Sequence, residues 1–442
     1  MYKTLSAPHI IQIEVSAMCT NCCQHCYNFW RQGGDGQTTS ANLSLEQVSR
    51  IMDQIIGHRV FHLVLTGGEP LLNKKALFEI LRRATENNIT TSVNSTLVTL
   101  TKEDALKFKE LGVSMVLTSL LGPTAEIHDQ IVQRNTAFER TVKGIRVLQE
   151  AKVPVSANMV VSRKNQHLIR ETGNLARSLG LKSFNSTRAG CPGNCFNFSE
   201  FSLNLQEFRL YLEKLHTFGD TEKMPVDVLS SYPLCGIKEV DRYQKFASRR
   251  CMAGVNTLTL SVTGEVRPCS HFDVSYGNLL QEDLSVIWQK MTEWRDGSLI
   301  PAVCQSCKVL PWCGGGCRME AKMRNGSPSG LDPYASPSDA DYVFGQLKGR
   351  RKESSSLPVT VRLNPKIRWR LEDFGAAIFA GTRFACYLNH KGLELIKSLS
   401  HGLDLSTADL IKRSGTGEAF MAGLIERKVF VPNNPKEKEG GD

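Results

Sequence analysis

The run Ile10-Ile11-Gln12-Ile13-Glu14-Val15-Ser16, followed closely by Cys19-Thr20-Asn21-Cys22-Cys23-Gln24-His25-Cys26-Tyr27, decides how the chain is read. The first seven residues are β-rich and mostly apolar, as expected of a parallel strand covered on both faces. The cysteines fall in the loop after that strand. Runs of the same kind recur at His62–Gly68, Thr91–Thr96, Ser114–Leu120, Val153–Val161 and Ser183–Arg188. Between them lie helical patterns at Ser44–Ile56, Lys75–Asn87, Lys102–Leu111, Phe138–Ala151 and Gln166–Leu179. Ser44, with Gln47 three residues on, reads as a helix N-cap with a capping box. Six βα units in series predict an α/β fold, a partial parallel barrel or an open sheet. In such folds the loops after the strand C-terminal ends carry the chemistry.

The chain has 442 residues, a net charge of +10 and 14 cysteines. Its ordinary apolar and charged fractions exclude a disordered, collagen-like or coiled-coil protein. No run reaches the ~18 apolar residues of a membrane span, and Met1–His9 has no apolar signal segment. The expected location is the cytoplasm, where thiols stay reduced, so ligand or catalytic cysteines are expected rather than disulfides. The cysteines cluster: four between Cys19 and Cys26, then Cys191 and Cys195, then Cys235, Cys251 and Cys269, then Cys304, Cys307, Cys313 and Cys317, with Cys386 alone.

Cys19, Cys23 and Cys26 are spaced C-x3-C-x2-C. Three thiolates can hold three corners of a [4Fe–4S] cluster and leave the fourth iron open to a ligand. A zinc site or ferredoxin loop is the plainer alternative. The nonapeptide ending in Tyr27 resembles the signature of radical S-adenosylmethionine (SAM) enzymes. That resemblance implies a (β/α)6 TIM-like barrel in which the open iron binds SAM. One electron from the cluster then cleaves SAM to a 5′-deoxyadenosyl radical that abstracts hydrogen from substrate. Thr66-Gly67-Gly68-Glu69-Pro70 resembles the family's GGEP turn, which implies that Glu69 accepts from the SAM ammonium; the glycines would let backbone approach the ligand closely. Asn94 resembles the ribose-side position. Ser119 ends the fourth strand, but Ser119-Leu120-Leu121-Gly122-Pro123 lacks the family's acidic residue. His128-Asp129 match the pattern that follows, and Arg134 could pair with the SAM carboxylate. For each of these polar residues a cap, turn or surface role is the competing explanation.

Cys251 precedes Gly264-x4-Cys269, and Cys304-x2-Cys307-x5-Cys313-x3-Cys317 follows. Pairs of this kind can form a zinc ribbon. The whole, with Gly277-Asn278-Leu279 and Ile287-Trp288, resembles the SPASM extension of radical SAM enzymes that act on peptides and proteins. The resemblance implies one or two auxiliary Fe–S clusters, Cys251, Cys269 and Cys317 on the first and Cys304, Cys307 and Cys313 on the second. The family's seventh cysteine is missing; Cys235 is a candidate fourth ligand for the first cluster.

Residues 331–356 read as a linker, with a basic run at Lys348–Lys352, and 433–442 as a disordered tail. Residues 357–432 show strands at Val359–Leu363, Ile367–Leu371 and Ala376–Phe379, helices near Lys391–Leu399, Thr407–Lys412 and Glu418–Arg427, and a closing strand Val429–Val431. This winged-helix-like order, with the net positive charge, invites a nucleic-acid reading, but Glu418–Arg427 carries few basic residues to enter a groove. Val361-Arg362-Leu363-Asn364-Pro365, Tyr387-Leu388-Asn389 and Ser406-Thr407-Ala408-Asp409-Leu410 instead resemble the PQQ-biosynthesis chaperone, a recognition element for ribosomally made, post-translationally modified peptides (RiPPs). There a leader peptide adds a strand to a sheet edge. The expected organisation is a barrel over 1–230, a SPASM domain over 231–330, the linker, and the recognition domain. The expected function is a cytoplasmic radical SAM maturase of a precursor peptide, reduced by flavodoxin or ferredoxin, with an intrapeptide cross-link as the first choice of product. Epimerisation or backbone excision, a nucleic-acid-modifying Fe–S enzyme and a multi-cluster electron carrier are the alternatives.

Overall fold

The computed structural model describes residues 2–28, 41–190, 198–349, 357–399, 403–415 and 417–432. They fall into two units, divided between Arg350 and Arg351. The first carries seven parallel strands: β1 (Ile10–Ser16), β2 (His62–Gly67), β3 (Thr90–Asn94), β4 (Met115–Ser119), β5 (Val155–Val161), β6 (Phe184–Arg188) and β7 (Val226–Val228). They pair in chain order, and β8 (Thr257–Leu260) and β9 (Val266–Arg267) extend the sheet beyond β1. β8 runs parallel to β1, and β9 returns antiparallel to β8. Gln47 completes the capping box with Ser44 at the start of α1 (Leu45–Gly57), as read from the sequence. Val48, Ile51, Met52 and Ile55 are its buried stripe, each contributing roughly 1.5–3 kcal/mol of burial. The later helices are α2 (Lys74–Glu86), α3 (Lys102–Glu110), α4 (Ala125–Val132), α5 (Ala137–Glu150), α6 (Ile169–Ser178) and α7 (Leu205–Glu222). Helix α4 was not expected: the Gly122-Pro123 turn hid its start.

Two of the expected boundaries do not divide the packing. The cysteine-rich stretch after residue 230 shares one compact unit with the barrel. Leu258, Leu260, Leu279, Ile287 and Trp288 belong to the same buried core as the barrel strands. The Trp288 indole donates to the Leu5 carbonyl at 2.9 Å, and a buried Glu14–Arg267 ion pair at 2.5 Å ties β1 to β9. The first part of the expected linker is also structured. Helix α8 (Arg318–Asn325) precedes it and α9 (Ala340–Gly349) lies within it, both in the first unit. Val343 of α9 is wholly buried in the core, with Phe344 and Leu347 packed against it. Residues 350–356 and the tail 433–442 lie outside the described residues.

The second unit pairs β10 (Thr360–Leu363) with two later strands and builds a meander from β11 (Ile367–Glu372), β12 (Gly375–Ala380) and β13 (Arg383–Leu388). Helix α10 (His390–Lys397), β14 (Leu405–Ser406), α11 (Thr407–Ser414), α12 (Glu418–Glu426) and β15 (Phe430–Pro432) follow, with the second sheet in the order β14-β10-β15. Ser406 caps α11 through the Asp409 N–H at 3.3 Å, as expected. Strand β13 was not read as one. It carries Cys386, which packs as a small hydrophobe in this unit's core.

Candidate active site

The loop after β1 is strapped down by backbone. The Cys22 N–H donates to the Val132 carbonyl at 3.0 Å and the Gln24 N–H to that of Ile131 at 3.2 Å, so the end of α4 holds its midpoint. The Asn28 amide donates to the Gly67 carbonyl at 3.0 Å. Cys19, Cys23 and Cys26 are partly buried, whereas the Cys22 side chain is exposed.

The Gly67-Gly68-Glu69 turn serves this loop more directly than it could serve a ligand. The Gly68 N–H donates to the Ser16 carbonyl and the Glu69 N–H to that of Met18, both at 2.7 Å. A Cβ on Gly68 would sit 2.1 Å from the Met18 oxygen, and one on Gly67 2.4 Å from that of Ser16. The close approach anticipated for a ligand is therefore made to the chain's own backbone. Glu69 is fully buried. Its Oε1 accepts from the Leu71 N–H (3.1 Å) and the Ser95 hydroxyl (2.7 Å). Its Oε2 accepts from the Thr96 N–H (2.7 Å) and hydroxyl (2.6 Å). Burial pushes its pKa up against these four donors.

At the strand C-terminal ends lies a cavity of about 360 Å³. Tyr27, Asn94, Asn158 and Arg188 line it from the barrel, and Cys251, Cys269 and Cys317 from the cysteine-rich stretch. The Tyr27 ring stacks on His271 with centroids 4.4 Å apart, so the two cysteine-bearing loops touch. Of the expected SAM-contacting residues, Tyr27 and Asn94 reach this cavity. Gly67–Pro70 and Ser119 are not among its lining, and Arg134 is exposed at the turn between α4 and α5. His128 is buried, accepts at Nδ1 from the Leu121 N–H at 3.3 Å, and is held neutral by burial, which pushes its pKa down to about 4. Asp129 accepts from the Phe138 N–H at 2.8 Å. Both are structural at these positions.

Arg188, Asp332 and Glu320 were missed. Arg188 ends β6, which is where a strand-end search would have found it. It is buried, pairs with Asp332 at 3.3 Å and lies over the Tyr334 ring at 4.2 Å. Among the described residues its Nη1 has no hydrogen-bond partner. Asp332 also accepts from the Cys317 N–H at 2.8 Å, coupling the arginine to a cysteine of the cavity wall.

The remaining thiols form a second group. Cys235, Cys304, Cys307 and Cys313 line one small pocket with Pro233, Val309 and Leu310. This corrects the sequence-based pairing, because Cys235 sits with these three and not with Cys251, Cys269 and Cys317. Chain distance misled there: Cys235 lies nearer Cys251 in sequence. Among the described residues no three His, Cys, Asp or Glu side chains converge on a single-ion position. A cluster, with an iron behind each thiolate, needs no such convergence. Burial pushes the Cys235 thiol up to about 12 and Cys269 and Cys304 to about 11. Such thiols keep their protons until a metal charge displaces them. Both groups are thus all-sulfur donor sets suited to iron–sulfur clusters. Cys191 and Cys195 lie outside the described residues.

Comparison with known proteins agrees with this geometry. Residues 13–176 match the radical SAM superfamily and residues 251–308 the SPASM iron–sulfur cluster-binding domain. An AdoMet-dependent heme synthase of Methanosarcina barkeri is 26% identical over 352 residues, covering 76% of this chain and 98% of that protein. A PqqA peptide cyclase of Rhizobium meliloti is 25% identical over 345 residues, covering 74% of this chain and 86% of that one. The solved structure of native anSMEcpe with bound AdoMet and a Cp18Cys peptide superimposes with a TM-score of 0.60 at 18% identity, over 77% of this chain and 98% of that one. The fold is the radical SAM α/β fold, followed by a SPASM region and a small C-terminal sheet domain. SAM and iron–sulfur clusters are its cofactors.

Proposed function

We propose that this radical SAM enzyme matures a ribosomally made precursor peptide, forming an intrapeptide cross-link at the barrel mouth. The observation that carries the proposal is that Cys251, Cys269 and Cys317 share one cavity wall with Tyr27 and Asn94. Held by these residues, SAM and the clusters would supply a 5′-deoxyadenosyl radical and a one-electron acceptor. Cross-linking needs both, because the peptide loses one hydrogen atom and then a proton and an electron. Cys19, Cys23 and Cys26 would hold the radical-generating cluster, and Asn94 and Tyr27 would orient SAM. The Arg188 Nη1, without a partner among the described residues, offers a buried donor to a peptide carbonyl or carboxylate.

The second unit fits a leader-binding role. Strand β13 is an edge of its sheet, and Phe374, Phe384 and Tyr387 cluster beside it with centroids 4.6–5.3 Å apart. An added peptide strand would gain main-chain bonds along β13 and side-chain contacts on that cluster. Similarity to heme synthases favours a second reading, a heme-forming activity.

The test incubates the anaerobically reconstituted enzyme, SAM and dithionite with a precursor peptide encoded beside its gene, followed by mass spectrometry. Loss of two hydrogens is expected. No mass change with an inverted residue would mean epimerisation, and a larger loss excision. Heme formation with an unmodified peptide would sink the peptide reading. Leader binding to residues 357–432 should vary little with salt, whereas nucleic-acid binding would fall steeply.

A further inference from the structure

Cys304, Cys307 and Cys313 are three thiols of a four-thiol set, and no cysteine follows Cys317 until Cys386. Cys386 is committed elsewhere, 6% exposed in the core of the second unit. We propose that Cys235, upstream of the whole array, is the fourth thiolate that closes the cluster site of Cys304, Cys307 and Cys313. This inference rests on the iron–sulfur character of the region and is independent of the peptide reading.

Three observations support it. Cys235 lines the same pocket as the other three, and the remaining lining is apolar side chains and glycine, with no carboxylate or imidazole to compete. The sulfurs already receive backbone donors: the Ser336 N–H points to Cys235 Sγ and the Leu234 N–H to Cys313 Sγ, each at 3.3 Å. Amides so placed stabilise the negative charge of a metal-bound thiolate and tune the potential of its cluster.

Finally, the turn that carries Cys235 is held from two sides. The Arg209 guanidinium donates to the Gly236 carbonyl at 2.9 Å and the Cys235 carbonyl at 3.2 Å, and pairs with Asp339 at 2.7 Å. On the other side a Cβ on Gly236 would lie 2.2 Å from the Tyr334 carbonyl. The turn is therefore held by contacts that involve no metal ligand. Among the described residues, the other auxiliary thiols are then the set of three on the active-site cavity, Cys251, Cys269 and Cys317.

The experiment measures iron content and low-temperature electron paramagnetic resonance on the reconstituted full chain. Three [4Fe–4S] clusters correspond to about twelve irons. Cys235→Ala should lower the count to about eight or convert one cluster signal. Cys235→His, which can still ligate, should keep the iron and shift that signal, whereas Cys386→Ser should change neither. Adding Cys235→Ala to Cys304→Ala should remove no further iron, because both act on one cluster. Unchanged iron and spectra in Cys235→Ala, equal losses in the Ala and His variants, or about four further irons lost in the double variant would each overturn the assignment.

Discussion

Glu69→Gln separates two ideas of what the Gly-Gly-Glu-Pro turn does. If Glu69 serves only as an acceptor for the SAM ammonium, the variant should fold normally and bind SAM poorly. The structure argues for more. Each carboxylate oxygen accepts two hydrogen bonds, at 2.6–3.1 Å, from residues on two different strand-end loops. Glutamine replaces one oxygen with an NH2 group, so two acceptances vanish and donors face donors. Bonds to a charged group are worth roughly 1.5–3 kcal/mol each, a gross loss of ~3–6 kcal/mol. Glutamine also relieves the burial of a charge, which offsets part of this, and a net cost of ~2–4 kcal/mol is expected. Thr96 hydroxyl contacts Thr20, next to Cys19, at 3.4 Å, so the loosening should reach the cysteine loop. Local stability is best read by amide hydrogen exchange on the protein without SAM or iron. At 1.36 kcal/mol per decade, the Thr96 and Leu71 amides should exchange roughly 30- to 1,000-fold faster. Unchanged exchange at both amides alongside lost SAM binding would refute the structural role.

Two further changes test the same framework. Asp332→Ala removes the partner of the buried Arg188 and the acceptor of the Cys317 N–H. It should cost about 3–5 kcal/mol and release the iron of Cys251, Cys269 and Cys317 while sparing the other auxiliary cluster; a melting temperature equal to that of the parent would count against it. Gly68→Ala places a methyl 2.1 Å from the Met18 oxygen, an overlap costing about 1–3 kcal/mol. The cysteine loop must then shift, so SAM cleavage to 5′-deoxyadenosine should fall by at least about tenfold; cleavage at the parental rate would show that the turn and loop are not coupled as described.

The strands and the catalytic loop were legible because their signals are local. A continuous apolar run, a capping box and a C-x3-C-x2-C spacing are each contained in a few residues. Strand β13 was harder: Arg383 and Phe384 are exposed at its start, which breaks the apolar run. Arg188 was legible by position, at the end of β6, but its burial was not. That burial is tolerated because Asp332, far along the chain, meets it, and no window of sequence contains both. The same holds for α9, where the Pro- and Ser-rich residues before it and the basic run Lys348–Lys352 at its end resemble a linker unless one knows that Val343 is buried.

Cys235 shows most clearly where sequence spacing stops being informative. Spacing arguments assume that ligands close in sequence are close in space, which holds for Cys304, Cys307 and Cys313 because one short segment carries all three. The fourth position of such a site has no such constraint. It can be filled by any rigid turn that the fold delivers, from either side of the array. Here the turn is delivered by packing between the last barrel helix and the segment around Tyr334, contacts that exist only once the barrel and the cysteine-rich stretch share a core. A missing downstream cysteine is therefore weak grounds for inferring an open iron. If Cys235 closes that site, the auxiliary thiols left as a set of three lie on the cavity that Tyr27 and Arg188 also line.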